Sequence, residues 1–137
     1  MEKSTTATCI KVANLRKQGF SDLREWMKDP NNIYVGRHGR IFIDKTIFHY
    51  PGSKWQNPFK LKYYTLKDSL SLYTLYLLNT GLIYDLHELK GKNLGCFCDH
   101  QKDKDGVPTC HAQVLVDLIE KCYDIIAVSY THLTLPT

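Results

Sequence analysis

A chain of 137 residues has room for one ordinary domain and is short for two. Hydrophobic residues at 43% and charged residues at 23% sit near globular averages, which excludes collagen, coiled coil and wholesale disorder and calls for an apolar core. Eighteen Lys and Arg against fourteen Asp and Glu give a net charge of +4, which admits an anionic partner but falls short of a dedicated nucleic-acid binder.

Read in chain order, Thr8 to Asn14 is a short β-prone run and a candidate first strand. Phe20 to Asp29 carries Leu23, Trp26 and Met27 at helical spacing, with Asp22 as N-cap and Glu25 three residues on. Pro30 and Asn31 stop that helix. Ile33 to Val35 is an apolar strand running into the turn Gly36 to Arg40, and the residues Ile41 to Ile43 suit a hairpin or a strand-loop-strand. Tyr50 to Lys60 holds two prolines and a glycine, so it is expected to be an ordered loop.

Thr65 to Asn79 is the clearest helix, with Leu66, Leu70, Tyr73 and Leu77 on one face, Thr65 and Asp68 as a capping pair and Gly81 as the stop. Ile83 to Leu89 reads as a short helix, Leu94 to Cys98 as a strand, and Cys110 to Cys122 as a final helix capped by Thr109. The alternation predicts an α/β fold: one compact domain over 1–127, with a small, mostly parallel sheet flanked by helices. The last ten residues, 128–137 (VSYTHLTLPT), have no charge and no clear period. They match the translation of a sequencing-library adapter, so they read as a non-native tail on an assembled metagenomic sequence, and His132 is set aside as a ligand.

No run approaches the roughly 18 apolar residues of a membrane helix, and the amino-terminal stretch MEKSTTATC lacks a signal's apolar core. The expectation is a soluble, cytoplasmic protein without a membrane partner. Five cysteines, Cys9, Cys96, Cys98, Cys110 and Cys122, are unevenly spread, three of them within fifteen residues. In a reducing compartment that cluster reads as metal binding, catalysis or ligand contact before disulfides.

Cys96 and Cys98 would share one face of a strand, with Phe97 on the other. Cys110 and His111 would open a helix, where free N–H groups favour an anion or a thiolate. One reading makes Cys98, Cys110 and His111 catalytic, as nucleophile and base. The alternative is zinc on Cys96, Cys98, Cys110 and His111, although neighbours on a helix diverge by about 100 degrees and share one ion with difficulty. Plain packing is the third, and the better one for Cys9 and Cys122. Arg37, beside two glycines after a strand, suits a phosphate or carboxylate. Lys54 adds a second cation, Trp55 a stacking face and Asn57 a paired donor and acceptor.

Four motifs in order, IYVGR (Ile33 to Arg37), GSKWQNPF (Gly52 to Phe59), ELKGKNLGCFC (Glu88 to Cys98) and CHAQVL (Cys110 to Leu115), resemble the domain-of-unknown-function family 4326 of bacteria, phages and large DNA viruses. The resemblance spans Thr8 to Lys121 and carries over Arg37, Lys54, Trp55, Asn57, Pro58, Cys96, Cys98, Cys110 and His111. It differs at Phe97, where that family often has tryptophan, and in a long loop before Cys110; it implies no settled activity. A strand ending in cysteine before a Cys-His helix start is also similar to family 488, which implies a Rossmann-like site at strand ends.

The expected function is binding, with or without modification, of a nucleotide-like or other phosphorylated small molecule. No cofactor is expected under that reading. A zinc-stabilised interaction module and a nucleic-acid accessory factor are the alternatives, the latter disfavoured by the modest charge.

Overall fold

The computed structural model describes residues 4–122; the expected tail at 128–137 and the end of the 1–127 span lie outside them. The elements run β1 (Thr6–Cys9), α1 (Val12–Lys17), α2 (Leu23–Lys28), β2 (Asn32–Tyr34), β3 (Gly39–Ile43), β4 (Thr46–Tyr50), α3 (Leu66–Thr80), a 3-10 helix (Leu82–Leu89), β5 (Asn93–Cys96) and α4 (His111–Asp117), which widens into a π-type turn over Leu118–Cys122. This is the mixed α/β architecture that the sequence implies.

β5 lies between β1 and β2 and pairs in parallel with both, Cys9 opposite Cys96 and Tyr34 opposite Gly95. All three strands therefore end at the same edge. A parallel sheet must be covered on both faces. On one side Leu94, Cys96 and Val35 join a core with Tyr73 and Leu77 of α3, Leu86 of the 3-10 helix and Leu115 of α4. On the other, Ile10, Leu15, Leu23, Trp26 and Tyr34 form a second cluster, with the β3–β4 hairpin packed against it. Gly95 sits at the crossing: a Cβ there would meet Trp26 at 2.4 Å and Ile10 at 2.7 Å, so only glycine lets the central strand lie against that indole.

Local chemistry explains where the elements stop. Asp22 accepts from the Glu25 amide at the start of α2, and Thr65 accepts from the Asp68 amide at the start of α3. Gly81 ends α3 at φ 80°, the left-handed conformation that costs glycine little.

Several expectations are corrected. The first strand stops at Cys9 rather than Asn14: the Asn14 side chain donates to the Cys9 carbonyl at 2.9 Å and the chain turns into α1. Of the two readings for Gly36 to Arg40, the strand-loop-strand holds and the hairpin does not, since β2 and β3 belong to different sheets. β3 pairs with β4 through Asp44 and Lys45, at φ 51° and 67°, and β4 has no counterpart among the expected elements. The last strand ends at Cys96, two residues early, so strand alternation does not govern Cys98. Cys110, with extended backbone, is itself the N-cap residue of α4, whereas Thr109 donates its hydroxyl proton to the His100 carbonyl at 3.1 Å. On α3 Tyr73 and Leu77 are buried as expected and Ser69 is buried with them, while Leu66 is exposed.

Candidate functional site

A cavity of about 490 Å³ opens beyond the carboxyl ends of β2 and β5, the edge where parallel α/β sheets keep their ligands. Arg37, Asn57, Cys96, Cys98, Cys110 and His111 all line it, as do His38 and the aromatic side chains of Tyr34, Tyr50, Phe59 and Phe97. Among the described residues no carboxylate does.

The loop after β4 is built onto this wall by hydrogen bonds. The Gly36 carbonyl accepts from the Ser53 amide at 2.9 Å, and the Arg37 guanidinium donates to the Asn57 carbonyl at 2.5 Å. The Asn57 amide donates to Ser69 Oγ at 2.9 Å while its oxygen accepts from the Phe59 amide, and Ser69 in turn donates to the Phe59 carbonyl at 2.6 Å. Asn57 is thus largely committed to holding the loop. Tyr34 and Tyr50 lie so close over Gly36 and Gly39 that a Cβ at either would meet a phenol oxygen, at 2.4 and 2.2 Å respectively.

At the far end the three sulfurs of Cys96, Cys98 and Cys110 lie within 4.8 Å of one another, Cys110 and Cys96 at 3.1 Å. All three are free thiols; Cys96 and Cys110 are buried and Cys98 is half-buried. Hydrogen bonds from Cys110 and then Cys96 stabilise the Cys98 thiolate and hold its pKa far below the ordinary thiol value. Cys110 is pushed far up by its contacts with Cys96 and Cys98 and by burial. Contact with Cys110 favours the Cys96 thiolate, but donation to Cys98 and burial outweigh it and raise its pKa. The three groups therefore titrate together, and Cys98 is the one whose thiolate the cluster favours.

His111 Nε2 stands 2.6 Å from the Val35 carbonyl, which can only accept, so that nitrogen carries the proton. Burial lowers the pKa of the ring despite this bond. The imidazole is therefore neutral near pH 7, with Nδ1 as its unprotonated nitrogen. The ring is roughly perpendicular to that of Tyr73, with centroids 5.3 Å apart.

Three of the sequence-derived site assignments are displaced. Trp55 offers no stacking face: the residue is 3% exposed in the core, and its carbonyl is held by the Tyr73 hydroxyl at 2.6 Å. Lys54 covers that ring at 5.3 Å and pairs with Glu88 at 2.8 Å and Asp85 at 3.3 Å, away from the cavity. His111 stands apart from the sulfur cluster, so the four-ligand zinc set reduces, among the described residues, to Cys96, Cys98 and Cys110. Asp99, the nearest carboxylate in sequence, is engaged by Lys11 at 2.7 Å.

The aromatic surface that Trp55 does not provide comes from Tyr50 and Phe97, whose centroids are 5.8 Å apart, with Tyr34 edge-on to Tyr50 at 5.2 Å. Gly36, two residues after Tyr34, and Gly39 at the start of β3 were the available signal. Alternation along a strand had assigned Phe97 to the opposite face.

Comparison with known proteins agrees with the motifs. No solved structure matches the chain. An uncharacterized protein of Acanthamoeba polyphaga mimivirus is 36% identical over 100 residues, covering 68% of this chain and 72% of its own. The profile of the domain of unknown function DUF4326 matches residues 20–121, a span that includes all four motifs and every residue of the cavity wall named above, and the chain belongs to that family.

Proposed function

We propose that this protein binds a small anionic molecule, nucleotide-like or otherwise phosphorylated, in the cavity beyond β2 and β5. The observation that carries the reading is the convergence of Arg37, His38, Cys98 and His111 on one hollow that no carboxylate among the described residues lines. A guanidinium can give a phosphate two parallel charge-assisted hydrogen bonds. Tyr50 and Phe97 supply apolar aromatic surface for a base or other flat group, and the volume suits a ligand of nucleotide size. Any modification of the ligand would take place at the end holding Cys98, Cys110 and His111.

Calorimetric titration with inorganic phosphate and with a panel of nucleoside monophosphates tests this. Arg37→Ala is expected to weaken binding by about tenfold or more, in line with a charge-assisted hydrogen bond of about 1.5–3 kcal/mol. Lys54→Ala, outside the cavity, should leave affinity unchanged. Failure of every anion in the panel, or equal affinity for the wild type and Arg37→Ala, would overturn the reading.

A further inference from the structure

Cys96 and Cys110 are 3% and 2% exposed, and their sulfurs are 3.1 Å apart with Cys98 close by. Three sulfurs brought together from a strand end, the residue two beyond it and the N-cap of a helix are more than a packing requirement demands, since alanine or valine fills such space without polarity. We propose that Cys96, Cys98 and Cys110 form a three-sulfur site for Zn²⁺ whose fourth position opens into the cavity.

The donor set selects the ion. Sulfur ligands favour a borderline-soft d¹⁰ cation over Mg²⁺ or Ca²⁺, which take oxygen. Zinc–sulfur bonds of about 2.3 Å place the sulfurs of a tetrahedral centre about 3.8 Å apart. The sulfurs here lie near that spacing, with Cys96 and Cys110 at 3.1 Å and no pair beyond 4.8 Å. Two of the three ligands stand at the ends of packed elements, β5 and the start of α4, so small shifts suffice to close around an ion. Gln101 supplies an outer contact: its amide donates to the Cys98 carbonyl at 3.0 Å and reaches Cys96 Sγ at 3.9 Å. Among the described residues no fourth His, Cys, Asp or Glu joins the group. Because all three cysteines line the cavity, the remaining position falls to water or to a group of the ligand, the three-plus-one pattern of zinc sites that act on a substrate.

This inference is independent of the anion reading, because metal content is measured with no ligand present. The full chain, purified without a tag, is expected to hold about one zinc through exhaustive dialysis by elemental analysis. Cys98→Ser and Cys110→Ser should each lower retained zinc by about tenfold or more, because each removes one of three ligands. Cys9→Ser, buried outside the cluster, should retain it. Protein stripped by chelator and titrated with Co²⁺ should show a sulfur-to-cobalt charge-transfer band that Cys110→Ser lacks. Should Cys110→Ser not fold, Cys98→Ser at the half-exposed position carries the comparison. Wild-type protein that retains no zinc and gives no cobalt band, a disulfide joining Cys96 to Cys110 in its place, or full zinc retention in Cys98→Ser would each overturn the proposal.

Discussion

Ser69 shows how much one small side chain can organise. It sits on α3, 1% exposed, and joins Asn57 to the Phe59 carbonyl. Ser69→Ala would strand the Asn57 amide and the Phe59 carbonyl together. The expected cost is about 1–3 kcal/mol, the range for buried polar groups left unpaired. Urea unfolding should show the loss, with Ser71→Ala on the exposed side of α3 within about 0.5 kcal/mol of wild type. Limited proteolysis should also cut between Pro51 and Lys60 sooner in Ser69→Ala, since that loop loses its anchor. Ser69 is buried where Leu66, three residues earlier, is exposed. Helical periodicity ranks positions by hydrophobicity, whereas this position was decided by two hydrogen bonds to a loop.

At the scale of elements, the β3–β4 hairpin turns on Asp44 and Lys45, both with positive φ. Two-residue turns of this kind favour Asn-Gly, because asparagine and glycine reach the left-handed region at lower cost. The double change Asp44→Asn, Lys45→Gly should therefore stabilise the protein by about 0.5–1 kcal/mol, the scale of relieving a strained backbone site. Arg24 tempers this, since its exposed 3.5 Å pair with Asp44 is lost, but such surface pairs are worth about 0–1 kcal/mol. A raised melting temperature with unchanged denaturant slope is the expected result. Because the turn carries no glycine or asparagine, it gave no signal in the sequence. Gly36 and Gly39 looked like the turn instead, when their role is to admit Tyr34 and Tyr50 against the backbone.

For the whole molecule, the two cores lie on either face of the central strand, and Gly95 is where that strand lies against Trp26 and Ile10 of the second core. Gly95→Ala would drive a methyl into Trp26 and Ile10, with an expected cost of about 1–3 kcal/mol for overpacking. Adding Trp26→Phe creates room beside the new methyl. The double variant should then be more stable than the sum of the two single changes predicts, by a coupling of about 0.5–3 kcal/mol in thermal or urea unfolding. Additive effects would mean that the strand moves and the indole does not. Such a shift would reach the cavity, because Cys96 is the next residue. No helix among the described residues is long and apolar enough to cross a membrane.

The sequence by itself determined the elements whose cause is local: α2 and α3 from their caps and periodicity, β2 and β5 from short apolar runs, the ordered loop from its prolines. The motifs, too, were enough to place the chain in its family. Which side chains share a cavity was decided only in three dimensions. Lys54 looked like an anion ligand until the 3-10 helix brought Glu88 and Asp85 to it, and Trp55 looked like a stacking face until α3 and the loop enclosed it. His111 and Cys110 are neighbours in sequence, yet one turns to the Val35 carbonyl and the other to Cys96. Capping, periodicity and turn chemistry act over a few residues and can be read along the chain. Burial, ion pairing and sulfur clustering depend on partners tens of residues away, and their energies exist only once the sheet has brought those partners within reach.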